Sequence, residues 1–203
     1  MVGRLWSLNY DVGLRCMNDS ELVEGLKNGD TRVVQYVVQQ YAPALYRFAF
    51  YQLQDAQSAE DLVSEVMARM IRHIDTFVLE QASFQAWLFR IARNLAADFY
   101  RARKRRPQVS LEAMMLDSSG YEPGEKDARL DVIFDRDSLR VGLLSLTDEQ
   151  RQVIVLHVIE GWELPQVAEM LGKSLPSVKS LYYRGVQSLR RAFIREDPEQ
   201  TLG

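Results

Sequence analysis

Apolar residues recur at steps of three and four along nearly the whole of this chain, and no run alternates convincingly over strand length, so the pattern predicts an all-α protein. Between residues 18 and 106 the caps and breakers divide that pattern into four helices. Asn18 followed by Asp19, Ser20 and Glu21 has the form of a capping box, Gly29 ends the first helix, and Asp30 caps a second that Pro43 is expected to kink or break. Ser58 is expected to start a third, running through AEDLVSEVMARMIRHI to about Ile74. Ser83 caps a fourth, from Phe84 to roughly Lys104, whose stripe is Trp87, Leu88, Ile91, Leu95 and Phe99.

The periodicity then fails. From Pro107 to about Gly124 the residues Pro107, Ser110, Ser118, Ser119, Gly120, Pro123 and Gly124 read as a linker. Thr147, with Gln150 three positions on, caps a new helix and opens a second helical unit. Within it, ELPQVAEMLGKSLPSVKSLYYRGVQSLRRAF reads as two short helices around a turn. Leu164, Val167, Ala168 and Leu171 keep helical spacing, Gly172 supplies a left-handed residue, and Ser174 can cap the helix that Leu175 and Pro176 begin. On that last helix Val178, Leu181, Tyr182, Leu189 and Phe193 share one side, and Ser177, Ser180, Arg184, Gln187, Ser188 and Arg191 the other. This is a helix-turn-helix signature. The architecture expected is two small helical domains on a tether: leader 1–17, first domain 18–106, linker 107–138, second domain 139–196 and tail 197–203.

Charge sharpens the pattern. The 203-residue chain has a net charge of −3, yet Lys173, Lys179, Arg184, Arg190, Arg191 and Arg195 form a run of six cations with no acid among them. A second cationic patch, Arg90, Arg93, Arg101, Arg103, Lys104, Arg105 and Arg106 against Asp98 alone, ends the first domain, with Phe84, Trp87, Phe89, Phe99 and Tyr100 interleaved. Phosphate neutralisation beside aromatic rings is what single-stranded nucleic acid needs. Trp87 sits on the apolar stripe and reads as core, whereas Phe89 and Tyr100 stand between packing and base stacking. The linker is acidic: residues 108–141 carry eight acids against four cations.

No apolar run approaches a membrane span, the start is too polar for a signal peptide, and the one cysteine, Cys16, cannot form an internal disulfide. These features favour a cytoplasmic protein and assign Cys16 no role. An enzyme is not expected, nor a metal or other cofactor: His73 and His157 are the only histidines, neither belongs to a zinc-binding pattern, and no glycine-rich phosphate loop exists. A response-regulator receiver would need alternating strands and helices, which residues 18–106 lack. A helix-turn-helix regulator that acts without being a polymerase subunit stays open at this point.

The blocks AEDLVSEV, FQAWLFRIARNLAADFYRARKRR and LTDEQRQVIVLHVIEGWELPQVAEMLGKSLPSVKSLYYRGVQSLR, in that order and at these distances, resemble an extracytoplasmic-function (ECF) sigma factor over residues 18–106 and 139–194. The resemblance implies a sigma region 2 domain and a sigma region 4 domain. It places Asp61, Ser64 and Glu65 at a coiled coil of the largest subunit of core RNA polymerase, with Ser64 standing where the family commonly has Gln. It also implies that residues 75–84 and the helix after them read the minus-10 element of promoter DNA, through Arg90, Arg93, Asn94, Arg101, Arg103 and Lys104. The final helix would read the minus-35 duplex through Ser177, Lys179, Ser180, Tyr183 and Arg184. An anti-sigma factor is a further partner the resemblance implies. Pro176, Leu181 and Gly185 depart from the family pattern, as does GWELP, which lacks the usual Ser or Thr cap.

Overall fold

A computed structural model describes residues 17–105 and 136–196; residues 1–16 of the leader, with Cys16, most of the acidic linker and the tail 197–203 lie outside them. The described residues are helical, in the order α1 (Asp19–Lys27), α2 (Thr31–Leu53), α3 (Ala56–His73), α4 (Phe84–Arg105), α5 (Arg136–Leu144), α6 (Asp148–Ile154), α7 (Leu164–Leu171) and α8 (Leu175–Glu196), with no strand among them. The all-α expectation therefore holds.

Local chemistry accounts for most of the ends. The Asn18 side chain accepts from the Glu21 N–H while Glu21 returns to the Asn18 N–H, closing the expected box at α1. Gly29 follows α1 with φ +68°, a conformation in which glycine meets no Cβ penalty. Asp30 caps α2, Ser83 Oγ accepts from the Ala86 N–H at α4, and Thr147 and Gln150 cap α6 reciprocally.

Three boundaries differ from the sequence expectation. Helix α2 runs through Pro43 without a break. A proline removes one N–H, and the carbonyl it leaves unpaired belongs to the exposed Gln39, where water can satisfy it. Helix α3 starts at Ala56 and not at Ser58, because Asp55 is its cap and accepts from the Ser58 N–H at 2.8 Å. Helix α5 precedes Thr147 and was not anticipated. It packs on α8, where a Cβ on Gly142 would lie 2.8 Å from the Phe193 ring.

Helices α1–α4 bury Leu22, Leu45, Phe48, Leu62, Met70, Phe84, Leu88 and Phe89, and α5–α8 with their connections bury Leu143, Ile154, Leu156 and Met170. These groups join in one contiguous core, with α7 lying on α4 and α6 against α2. Close approach matters at Gly25, where a Cβ would fall 2.5 Å from Val33 Cγ2. Gly25→Ala is thus expected to destabilise the chain by about 1–2 kcal/mol in chemical denaturation, since overpacking typically outweighs the roughly 1 kcal/mol gained in helix propensity. A more stable variant would show that α1 and α2 separate without cost.

Candidate nucleic-acid interface

Helix α7 ends at Gly172, whose φ of +59° reverses the chain, and α8 begins after Ser174, whose Oγ accepts from the Ser177 N–H. At the start of α7 the N-cap position is held by Glu163 and not by the usual Ser or Thr, and Gln166 Oε1 accepts from the Glu163 N–H. On α8, Val178 and Leu181 are buried while Ser177, Lys179, Ser180, Tyr183 and Arg184 are all exposed, Tyr183 at 65%. The predicted face therefore forms. Two departures from the family pattern acquire structural reasons. Leu181 is core, so no phosphate contact is available from that position. Gly185 lets α8 sit close on α6, because a Cβ there would meet Ile154 Cγ1 at 3.1 Å.

Along α4 the arrangement is less simple. Phe77, Phe84 and Trp87 pack together, with ring centroids 4.7 Å apart for Phe77 and Trp87, and anchor the segment that follows the 3-10 turn Ile74–Thr76. Trp87 is half-buried in that cluster, as its place on the stripe predicted. Phe89 is 1% exposed and edge-on to Phe48, which removes it from any base-stacking surface. Asn94 is exposed, its Oδ1 accepting from Arg93 Nη2 at 3.3 Å. Arg101 is exposed and paired with Asp98 at 2.7 Å. Arg103 and Lys104 fall in the last turn of α4, and their side chains, like that of Tyr100, lie outside the described residues.

Arg90 and Arg93 are both occupied by the other half of the chain. Arg90 Nε donates to the Glu169 carbonyl at 3.2 Å, and Arg93 Nη1 donates to the Leu171 carbonyl. Burial, with the charge of Arg90 second, pushes the Arg93 guanidinium below its ordinary value. The start of α4 is also taken: Ser83 N–H donates to Glu169 Oε1 at 2.7 Å, and Phe84 N–H donates to Asp19 Oδ2 at 2.8 Å.

On α3, Asp61 and Ser64 are exposed and Asp61 accepts from Gln57 Nε2 at 3.3 Å. Glu65 is shared by Arg69 at 2.8 Å and Arg72 at 3.1 Å. The hydrogen bond from Arg69, then that from Arg72, holds its carboxyl below the usual carboxylate range. The negative charge at the expected docking positions is therefore partly neutralised at Glu65 by cations of its own helix. Spacings of four and seven residues could have disclosed those partners. Arg47 and Glu160, 113 positions apart, form a further pair that sequence reasoning missed; its only signal was a lone cation inside the apolar run ALYRFAF.

Among the described residues there is no group of acids, histidines and cysteines able to hold a metal, and no helix is long and apolar enough to cross a membrane.

A family model described as sigma-70 region 2 matches residues 37–106, and one described as sigma-70, region 4 matches residues 136–189. The chain is 32% identical over 171 residues to the ECF RNA polymerase sigma factor BldN of Streptomyces coelicolor, covering 84% of this chain and 64% of BldN, a little under two thirds of that relative. It is 30% identical over 177 residues to the ECF RNA polymerase sigma factor SigW of Bacillus subtilis, covering 83% of this chain and 93% of SigW. Among solved structures, CnrH in complex with the cytosolic domain of CnrY matches with a TM-score of 0.65 and 26% identity, over 88% of this chain and 98% of that one. The sigma factor RpoE in complex with the anti-sigma factor NepR from Bartonella quintana matches with a TM-score of 0.62 and 25% identity, over 78% and 95%.

Proposed function

The chain belongs to the ECF family of RNA polymerase sigma factors, and from that premise we propose that it docks on core RNA polymerase through α3, reads the minus-35 duplex with α8 and holds the opened minus-10 strand along α4. The observation that carries this reading is the face of α8: five polar side chains stand clear of the core on one side of a helix that follows a left-handed glycine turn, while Val178 and Leu181 fix its other side. Such a helix puts short polar groups at base edges and cations on phosphates.

The N-terminal domain, residues 18–106, supplies the second contact. Asn94 has a carboxamide able to pair with base edges, and Arg90, Arg93, Arg101, Arg103 and Lys104 are assigned to phosphates. Extruding a base costs a few kcal/mol of stacking, so affinity for the opened strand offsets that cost and favours melting. The chain itself makes and breaks no bond, and it works in the cytoplasm. Residues 107–138 tether this domain to the minus-35 reader, residues 139–196. An anti-sigma factor is its expected regulator, in keeping with the complexes in which CnrH and RpoE were solved.

The test is promoter-directed initiation by core polymerase supplemented with the full chain. Asp61→Arg reverses an exposed charge on α3 and is expected to weaken core binding by about 100-fold, since like charges brought together cost several kcal/mol, with duplex binding unchanged. Duplex binding without core binding or initiation by the unmodified chain would replace this reading with that of a free-standing regulator.

A further inference from the structure

The two DNA-reading halves are not held apart in this structure; one of them occupies the binding groups of the other. At the C-terminus of α7 the backbone carbonyls carry the negative end of the helix dipole. Two of them, from Glu169 and Leu171, accept from Arg90 and Arg93, and the Glu169 carboxylate takes the Ser83 N–H that opens α4. Two carbonyl oxygens facing two guanidiniums, with a carboxylate at a helix N-terminus, take the places that the phosphate oxygens of a nucleic-acid backbone would take. Behind this contact lies the Arg47–Glu160 pair. It is bidentate, at 2.7 and 2.6 Å, with the two side chains 9% and 2% exposed. Glu160 follows the π-helical turn Val155–Ile159, whose wider winding shifts the direction of what comes next. Arg151 Nη1 adds a bond to the Gln52 carbonyl at 3.3 Å.

We propose that the free chain is held closed by the Arg47–Glu160 pair, and that the closed form is unable to bind minus-10 DNA because α7 covers Arg90, Arg93 and the start of α4. This rests on the assignment of α4 as the minus-10 reader.

The seam is built to open. A buried ion pair gains little net stability, because removing both charges from water offsets most of their attraction, yet it fixes one arrangement against others. Gln52 Nε2 and Arg151 Nε are buried at the same seam without hydrogen-bond partners among the described residues, a cost that water relieves on opening. The docking ridge is outside the seam: Asp61 and Ser64 stay exposed, so core polymerase can engage α3 while the DNA face is still shut.

Small-angle scattering of the full chain and its affinity for a forked minus-10 DNA, measured without polymerase, test the proposal together. Glu160→Arg and Arg47→Glu are each expected to increase the radius of gyration by several ångströms. Each should also tighten DNA binding by about tenfold or more, the factor by which a minor open population of roughly 10% or less lowers apparent affinity. The two variants change net charge in opposite directions, so a general electrostatic effect would move their affinities apart. The double exchange, Arg47→Glu with Glu160→Arg, should restore both the compact radius and the weak binding.

If circular dichroism shows that a reversal unfolds the chain, Glu169→Ala reads the same seam through the loss of the oxygen that accepts from the Ser83 N–H, with the exposed Glu163→Ala as the control for charge. Tighter binding by the Glu169 variant alone supports closure; equal behaviour of the two overturns it. Single reversals that stay folded and compact, or that expand without binding more tightly, also overturn it. Failure of the opened chain to support initiation with core polymerase would count against the proposed function and not against the closure, which scattering reads without a partner.

Discussion

Phe89→Ala is expected to lower the unfolding free energy of the chain by about 3–5 kcal/mol, the usual cost of emptying a buried phenylalanine site. The residue lies among cations and other rings on a helix assigned to single-stranded DNA, so its chemistry alone also suits a stacking platform. The structure decides between the two. Phe89 is 1% exposed and meets Phe48 edge-on with ring centroids 5.9 Å apart, at the junction of α2 and α4. A cavity there cannot collapse easily, because Leu45, Phe48 and Leu88 around that junction are themselves fully buried. Urea or guanidinium unfolding should show the midpoint move sharply at unchanged slope. A loss below about 1 kcal/mol combined with a selective loss of minus-10 strand binding would return Phe89 to the DNA face.

The difference between Phe89 and Trp87 marks what could be seen in the sequence. Three- and four-residue spacing placed Trp87 on the core stripe of α4, and it does pack there, although only half-buried. Phe89 sits off the centre of that stripe and is nonetheless enclosed, because α2 lies across α4 and widens the buried arc beyond what one helix can disclose about itself. Local signals fared best where the physics is local. Asn18, Asp30, Ser83 and Thr147 cap the helices they were expected to cap, since a side chain meeting an N–H two or three residues on is written within four positions. The same rule misplaced the start of α3. Asp55 and Ser58 both fit a cap, and Asp55, the earlier of them, holds it. What could not be read was every contact that spans the chain: Glu160 on Arg47, Glu169 on Ser83, and the α7 carbonyls on Arg90 and Arg93. Two cationic patches looked equally open because spacing says nothing about which helix covers which.

That asymmetry gives the two patches different standing in the free protein. The α8 face is exposed whether or not the halves separate, so minus-35 binding should be insensitive to closure. The α4 face, by contrast, answers to it. Lys173, at the turn before α8, is engaged with Glu149 at 2.6 Å and is not a ready phosphate ligand. Lys179 and Arg184 therefore carry much of the cationic character of the reading face, with Arg184 Nε also bonded to the Ser180 carbonyl one turn back.

The double variant Lys179→Ala/Arg184→Ala is accordingly expected to weaken binding to the minus-35 duplex by roughly 100-fold near physiological salt, about 1.4 kcal/mol for each lost tenfold. The form of the loss matters more than its size. If both side chains sit on phosphates, the slope of log affinity against log salt should become shallower by about 0.9 for each, and affinity should fall alike on promoter and unrelated duplexes. If Arg184 instead reads a base edge, its single replacement should relax preference at one position by about 1–3 kcal/mol while changing the slope less. Both side chains are exposed and outside the core that Val178 and Leu181 enter, so thermal unfolding should not move. An unchanged affinity and slope in the double variant would mean that α8 does not enter the groove by this face. The remaining cations of the helix, Arg190, Arg191 and Arg195, lie about two to three turns further along, where a recognition helix leaves the bases, and could not take over that reading.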